Sequence, residues 1–266
     1  MPTLSLFRPS LRRGSRARRR RMAVRLLALL VVFLILLPLY CVYYPPGILI
    51  RYFSYHWPDV LFQVPLPKGS EKLIALSIDD APSAYTKQIL VELLVNDAHA
   101  TFFVVGGQVD EERKKVLKEL VRLGNELGNH GMRDEPARSL TLSELEKQIH
   151  KVDDIISDAY SAAGKPNQQP KYYRPGSGFF STGMRELVKK LGHKLVLGGV
   201  YPHDAQVPYE WMNARHILGM ARPGGIIICH DRRSWTAGML RKVLPELRRR
   251  GYRVVSVGEL ERAAGG

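Results

Sequence analysis

Cysteine is scarce: the 266 residues hold two, Cys41 and Cys229. Cys41 falls in an apolar run and Cys229 in a predicted buried strand, so the two are not placed to form a disulfide. Zinc-finger spacing is absent, so any metal must be held by histidine and carboxylates. Acidic residues are missing altogether from residues 1–25, which carry nine arginines, Arg8, Arg12, Arg13, Arg16, Arg18, Arg19, Arg20, Arg21 and Arg25. The rest of the chain holds 31 Lys and Arg against 25 Asp and Glu, about +6 of the total +15. The folded part is therefore only mildly basic, and no nucleic-acid partner is expected. Internal repeats are absent, and low-complexity sequence is confined to the Arg run. What remains is ordinary globular composition, with 45% hydrophobic and 24% charged residues. The length suits one domain of roughly 200 residues plus an N-terminal appendage.

Long apolar runs are also rare, with one exception. Residues 26–44, LLALLVVFLILLPLYCVYY, are nineteen positions without a charge. That just meets the length a helix needs to cross a hydrocarbon core about 30 Å thick. Pro38 kinks such a helix without forbidding the span. Tyr40, Tyr43 and Tyr44 sit where an interfacial aromatic belt belongs, and the flanking Arg run marks the cytosolic side. No small-x-small cleavage site follows, so the segment reads as an uncleaved signal anchor. The expected location is a single-pass type II membrane protein with an extracytoplasmic domain. The predicted order is a tail over 1–25, a transmembrane helix over 26–44, a stalk or adapter over 45–71, a main domain over 72–258 and a short tail over 259–266.

Within the main domain, strand and helix patterns alternate. Apolar runs at 73–78, 100–105, 126–130, 193–199, 224–230 and 252–257, with a short one ending at residue 174, predict strands. Helical patterns fall at 85–95, 110–124, 182–191, 211–221 and 236–250. Thr141 and Glu144 form a capping box that opens a long helix to about Ala163, followed by a loop at 164–170. Such alternation implies an α/β fold, either a barrel or an open doubly wound sheet, and about seven strand–helix units fit a distorted seven-stranded (β/α) barrel slightly better.

Polar residues gather where these strands end: Asp79-Asp80, His130, Arg174 and His230-Asp231. In a parallel α/β architecture the C-terminal strand ends converge on one face, where active sites form. Adjacent carboxylates at a strand end point to opposite sides, so one is suited to a metal and the other to a proton.

The order and spacing of these groups resemble the polysaccharide deacetylase family with the NodB homology domain, over roughly residues 72–258. Ser77-Ile78-Asp79-Asp80-Ala81-Pro82 resembles its first motif, which implies Asp79 as general base and Asp80 as metal ligand. His130-Gly131-Met132-Arg133-Asp134 resembles the second, in which Asp134 stands where a second histidine belongs. The resemblance thus implies one divalent cation on Asp80, His130 and Asp134. Zn²⁺ is the first expectation, with the extra carboxylate shifting preference toward Mn²⁺ or Co²⁺.

Arg174-Pro175-Gly176-Ser177-Gly178 resembles the third motif, with Gly176 and Ser177 replacing a proline and an aromatic. It implies that Arg174 orients the catalytic carboxylate and that the Ser177 N–H stabilises an oxyanion, a role that survives the side-chain change. Gly178, Tyr201 and His203 are the expected substrate contacts. Asp204 is the expected partner of Arg174 or His230. Ile226-Ile227-Ile228-Cys229-His230-Asp231 resembles the last motif and implies His230 as the general acid. The resemblance implies metal-dependent release of acetate from a chitin-like N-acetylglucosamine polysaccharide. The alternatives are a non-catalytic glycan-binding relative and a hydrolase of another non-peptide amide.

Overall fold

A computed structural model describes residues 12–167 and 171–265, with side-chain environments from residue 17 onward. Arg8, and residues 168–170 of the loop expected at 164–170, lie outside the described residues. The chain divides into two compact units, residues 1–46 and 47–266. The first contains helix α1 (Arg12–Tyr43) with Pro38 inside it. Its stretch Ala17–Tyr43 is, among the described residues, the one helix long and apolar enough to cross a membrane by length and composition.

The second unit is a curled parallel sheet wrapped by helices, the expected (β/α) architecture. Helix α2 (Gly47–His56) and the two-residue strand β1 (Val60–Leu61) come from the segment read as a stalk. Next come β2 (Lys72–Ala81), α3 (Thr86–Val95), β3 (Thr101–Val104), α4 (Glu111–Arg122) and β4 (Glu126–Asn129). They lead into α5 (Leu142–Ala162), β5 (Lys171–Tyr173), α6 (Thr182–Lys190) and β6 (His193–Val196). The chain closes with α7 (Glu210–Met220), β7 (Ile226–His230), α8 (Thr236–Arg249), β8 (Tyr252–Val255) and α9 (Val257–Ala263).

The sheet runs β1-β6-β5-β4-β3-β2-β7, with β8 paired to the first residues of β2. All of these pairings are parallel. The segment after β6 crosses to β7 through a parallel bridge between Val200 and Ile227. The curl therefore approaches closure, with short β1 an eighth strand beside the seven expected.

Burial and hydrogen bonding explain why the pattern holds. Beyond its exposed first residue β2 is buried at every position, as a central parallel strand covered on both faces must be. The capping box at Thr141 and Glu144 is formed on both sides, so orphan N–H groups at the start of α5 are satisfied. A second capping box, Ser256 with Glu259, opens α9.

Candidate active site

The C-terminal ends of β2, β4, β5 and β7 deliver Asp79, Asp80, His130, Arg174 and His230 to one face. Asp79 and His230 are register partners on adjacent strands. Both aspartates are buried, and so are His130, Arg174 and Asp204. Asp80 adopts a left-handed backbone with φ 62°, a conformation costly for a non-glycine residue and typical of sites where geometry is imposed. The two carboxylates take different partners, Asp79 meeting Arg174 and Asp80 facing His130.

Arg174 is the hub. Its Nη1 donates to Asp79 Oδ1 at 2.5 Å, its Nη2 to Ser77 Oγ at 2.8 Å and its Nε to the Val196 carbonyl at 3.1 Å. The guanidinium also lies over the Phe103 ring, 4.1 Å from its centroid. Ser77 Oγ in turn donates to the Ile227 carbonyl. Burial pushes the Asp79 carboxyl up, but the charges of Arg174, His130 and His230 outweigh it and hold Asp79 below the usual carboxylate range.

Asp204 takes His230 as its partner, not Arg174. It accepts from the His230 backbone N–H at 2.8 Å and meets His230 Nδ1 at 2.9 Å. Burial alone lowers the imidazole, but the Asp204 hydrogen bond and charge, with Asp79 and Asp80 beyond, raise it to about 9. The Trp235 indole N–H holds the Asp204 carbonyl at 3.0 Å.

His130 Nδ1 lies 2.7 Å from the Arg174 carbonyl. A carbonyl only accepts, so Nδ1 carries the proton and Nε2 is left with its lone pair. That Nε2 faces Asp80 Oδ1 at 3.8 Å. Burial first, then repulsion from Asp134 and Asp79, raises the Asp80 carboxyl against the opposing pull of His130. Two electron-pair donors facing one another suit a cation. A backbone carbonyl fixing the far nitrogen is how metal-binding imidazoles are oriented.

Asp134 does not complete that set. It is about half exposed and pairs with Arg232 Nη1 at 3.4 Å. Among the described residues no group of three His, Cys, Asp or Glu side chains stands close enough to hold a metal ion. The expected three-ligand set is therefore gathered in two of its members. The physical reason is charge: Asp134 sits on an open loop where a guanidinium neutralises it at little desolvation cost.

Ser177 and Gly178 are exposed, and Ser177 has φ 64°. Gly176 is there because the loop after β4 presses on it: an added Cβ would meet the Glu135 carbonyl at 2.1 Å. Tyr201 and His203 pack with tilted rings, centroids 4.6 Å apart, and Tyr201 meets the His230 ring at 6.0 Å. Of the two expected contact rings, Tyr201 thus meets His230 directly and His203 packs behind it on Tyr201. Burial raises the Tyr201 phenol to about 12, so it stays protonated. An open cavity of about 780 Å³ lies beside the cluster, lined by Asp134, Glu135, Met132 and Arg232 among others.

Asp231 follows His230 directly, and its role comes from contacts that the sequence does not show. It is fully buried and accepts from the Ser83 N–H, the Ser83 hydroxyl and the Thr86 hydroxyl. Its own N–H donates to the Asp79 carbonyl at 2.8 Å. It thus ties the turn after Asp79-Asp80 to β7, and burial raises its carboxyl to about 6. Ser77 likewise takes its role from a contact distant in sequence, the hydrogen bond from Arg174.

Comparison with known proteins finds relatives by sequence and by fold. A family model described as polysaccharide deacetylase matches residues 67–196. A peptidoglycan-N-acetylglucosamine deacetylase of Bacillus cereus is 33% identical over 213 residues, 76% of this chain and 93% of that protein. The peptidoglycan-N-acetylmuramic acid deacetylase PdaC of Bacillus subtilis is 30% identical over 193 residues, 72% of this chain but 39% of that protein. Among solved structures, peptidoglycan deacetylase PdaC from Bacillus subtilis superposes with a TM-score of 0.65 at 31% identity, covering 73% of this chain and 92% of that one. A CE4 family pseudoenzyme from Bacillus anthracis superposes with a TM-score of 0.64 at 26% identity, covering 72% and 66%.

Proposed function

The chain belongs to the polysaccharide deacetylase family, and from that premise we propose that it hydrolyses N-acetyl groups from an N-acetylglucosamine-containing polysaccharide and releases acetate. A chitin-like strand and the glycan of peptidoglycan, the polymer in the names of two relatives, both present that group. The observation that carries the reading is the placement of Asp79, held by Arg174, and His230, held by Asp204, as partners at adjacent strand ends. Arg174 lowers the Asp79 carboxyl and Asp204 raises the His230 imidazole, which suits one to a base and the other to an acid.

Asp79 takes a proton from the attacking water as its oxygen bonds to the acetyl carbon. The Ser177 N–H donates to the oxyanion that develops. His230 gives its proton to the glucosamine nitrogen as the C–N bond breaks, and Asp204 steadies the imidazole throughout. Arg174 positions Asp79, and Tyr201, His203 and Gly178 flank the sugar. Asp80 and His130 would hold a divalent cation, Zn²⁺ first or else Mn²⁺ or Co²⁺, with Asp134 as third ligand only once it leaves Arg232. When bound, such a cation supplies Lewis acidity and lowers the pKa of water. Held below the usual carboxylate range, Asp79 is a weak base that benefits from that help.

We further propose that α1 is a signal anchor with residues 1–25 cytosolic and the catalytic unit extracytoplasmic, as a substrate in the cell envelope requires. The test of the enzymatic reading is acetate release from chitin oligomers and from peptidoglycan glycan by the full chain with added Zn²⁺. Asp79→Asn and His230→Ala should each abolish it. Unchanged release in both variants overturns the assignment.

A non-catalytic glycan-binding role is favoured by one observation, the Asp134–Arg232 pair. It predicts glycan binding without acetate release at any metal concentration.

A further inference from the structure

Helix α2 has two unlike faces. Ile50 is buried, and Phe53 and Trp57 pack with it against the cluster containing Val60, Phe62 and Leu195. The opposite face presents Ile48, Tyr52 and Tyr55, which are 70%, 57% and 87% exposed. Positions 48, 52 and 55 follow i, i+4, i+7 spacing, so they share one side of the helix. Three large apolar or aromatic side chains on one side of a ten-residue helix form a patch, unlike the scattered singles of an ordinary surface.

Two features identify what covers it. The first is charge. Residues 47–58 contain Arg51 and His56 and no acidic residue, and Arg51 is exposed beside the patch. A cation flanked by tyrosines matches the headgroup region of an anionic bilayer, where aromatic rings sit with one end wet and the other dry. The second is connectivity. Only Tyr44, Pro45 and Pro46 separate α2 from the end of α1. Three residues reach at most about 11 Å, so a membrane-spanning α1 delivers α2 to the bilayer surface. Neither feature belongs to the family match, which begins at residue 67.

We propose that the outer face of α2 lies in the lipid headgroup layer, with Ile48, Tyr52 and Tyr55 inserted and Arg51 against lipid phosphates. The inference rests on the anchor reading of α1. Because Ile50, Phe53 and Trp57 bind α2 to the sheet through Phe62, the helix fixes the orientation of the catalytic unit on the membrane. A flexible tether would leave that orientation free.

The test uses the full chain, with Cys41→Ser, in phosphatidylcholine–phosphatidylglycerol vesicles. Single nitroxide labels are placed at Leu34→Cys, Tyr52→Cys, Tyr55→Cys and Lys118→Cys. Tyr55 and Tyr52 are exposed, so their replacement spares the core; native Cys229 is fully buried. Labels at 52 and 55 should collide more with oxygen than with an aqueous nickel chelate, and the label at 118 should show the reverse. Aqueous labels at 52 and 55 beside a lipid-exposed label at 34 overturn the inference alone. An aqueous label at 34 overturns the anchor on which it rests. Shielding of 52 and 55 from both reagents means a second protein copy covers the patch, and that also overturns it.

Discussion

His230 and Asp204 are joined twice, ring nitrogen to one carboxylate oxygen and backbone N–H to the other, at 2.9 and 2.8 Å. The double contact fixes both the position of the strand end and the tautomer of its side chain. It also supplies the anion that lifts the imidazole to about 9. Asp204→Asn keeps the shape and removes that anion. The alkaline limb of kcat/KM should then move toward lower pH, and activity near neutrality should fall about 10²-fold or more. A pH–rate profile of the two proteins measures both effects. An unmoved alkaline limb would show that His230 is not the acid.

Arg174→Lys removes a three-way fork from a buried position. Lysine reaches Asp79 as a point charge but cannot also serve Ser77 and the Val196 carbonyl. Leaving those partners unsatisfied should cost on the order of 3 kcal/mol in urea denaturation. With the fixed guanidinium and its hydrogen bond exchanged for a less firmly held ammonium, Asp79 should titrate higher, so the acid limb of kcat/KM should move up. Stability loss without a shifted limb would reduce Arg174 to a structural role.

The strand ends and their ionisable residues were legible because each apolar run in the sequence stops at a polar residue. The capping box of α5 was legible for the same local reason. Hidden instead was whatever depends on partners far along the chain. Asp231 meets Ser83 and Thr86 across nearly 150 positions, and Asp134 meets Arg232 across 98. Gly176 looked like a motif departure until the Glu135 carbonyl against it gave the reason. β1 is two residues long, too short for any periodicity to announce.

Gly176→Ala should therefore be costly. A methyl group 2.1 Å from the Glu135 carbonyl forces one of the two loops to move. Overpacking of this kind costs about 1–3 kcal/mol, and the displaced loop carries Asp134. Lower thermal stability together with weaker Zn²⁺ binding is the expected pair of results, read by calorimetry and chelator competition.

Glu126 lies far from the chemistry, buried at the start of β4. It accepts from the Thr101 hydroxyl at 2.6 Å and the Gly258 N–H at 2.9 Å. Burial raises it to about 7, against those two hydrogen bonds. A carboxyl raised in the folded state favours folding fully below its ordinary value of 4.5, and that contribution is lost as pH rises through 7. Thermal stability should accordingly decline between about pH 5 and pH 8, and Glu126→Gln should flatten the slope. An identical slope in the variant would assign the decline to another group.

The Asp134–Arg232 pair sets the two readings of the site against each other. If Asp134 is a ligand held back by a guanidinium, a cation must displace Arg232 to recruit it. Both side chains are about half exposed, so the ion pair itself is worth roughly 1 kcal/mol or less. Arg232→Ala should then raise Zn²⁺ affinity by up to about fivefold, with no change in fold. Asp134→His, which restores the family's imidazole and cannot pair with Arg232, should raise it at least as far. Equilibrium dialysis with Zn²⁺ measures both without recourse to turnover. Zinc binding that is absent in all three proteins would separate Asp80 and His130 from any metal role. The family fold would then be left with a glycan groove and no hydrolysis.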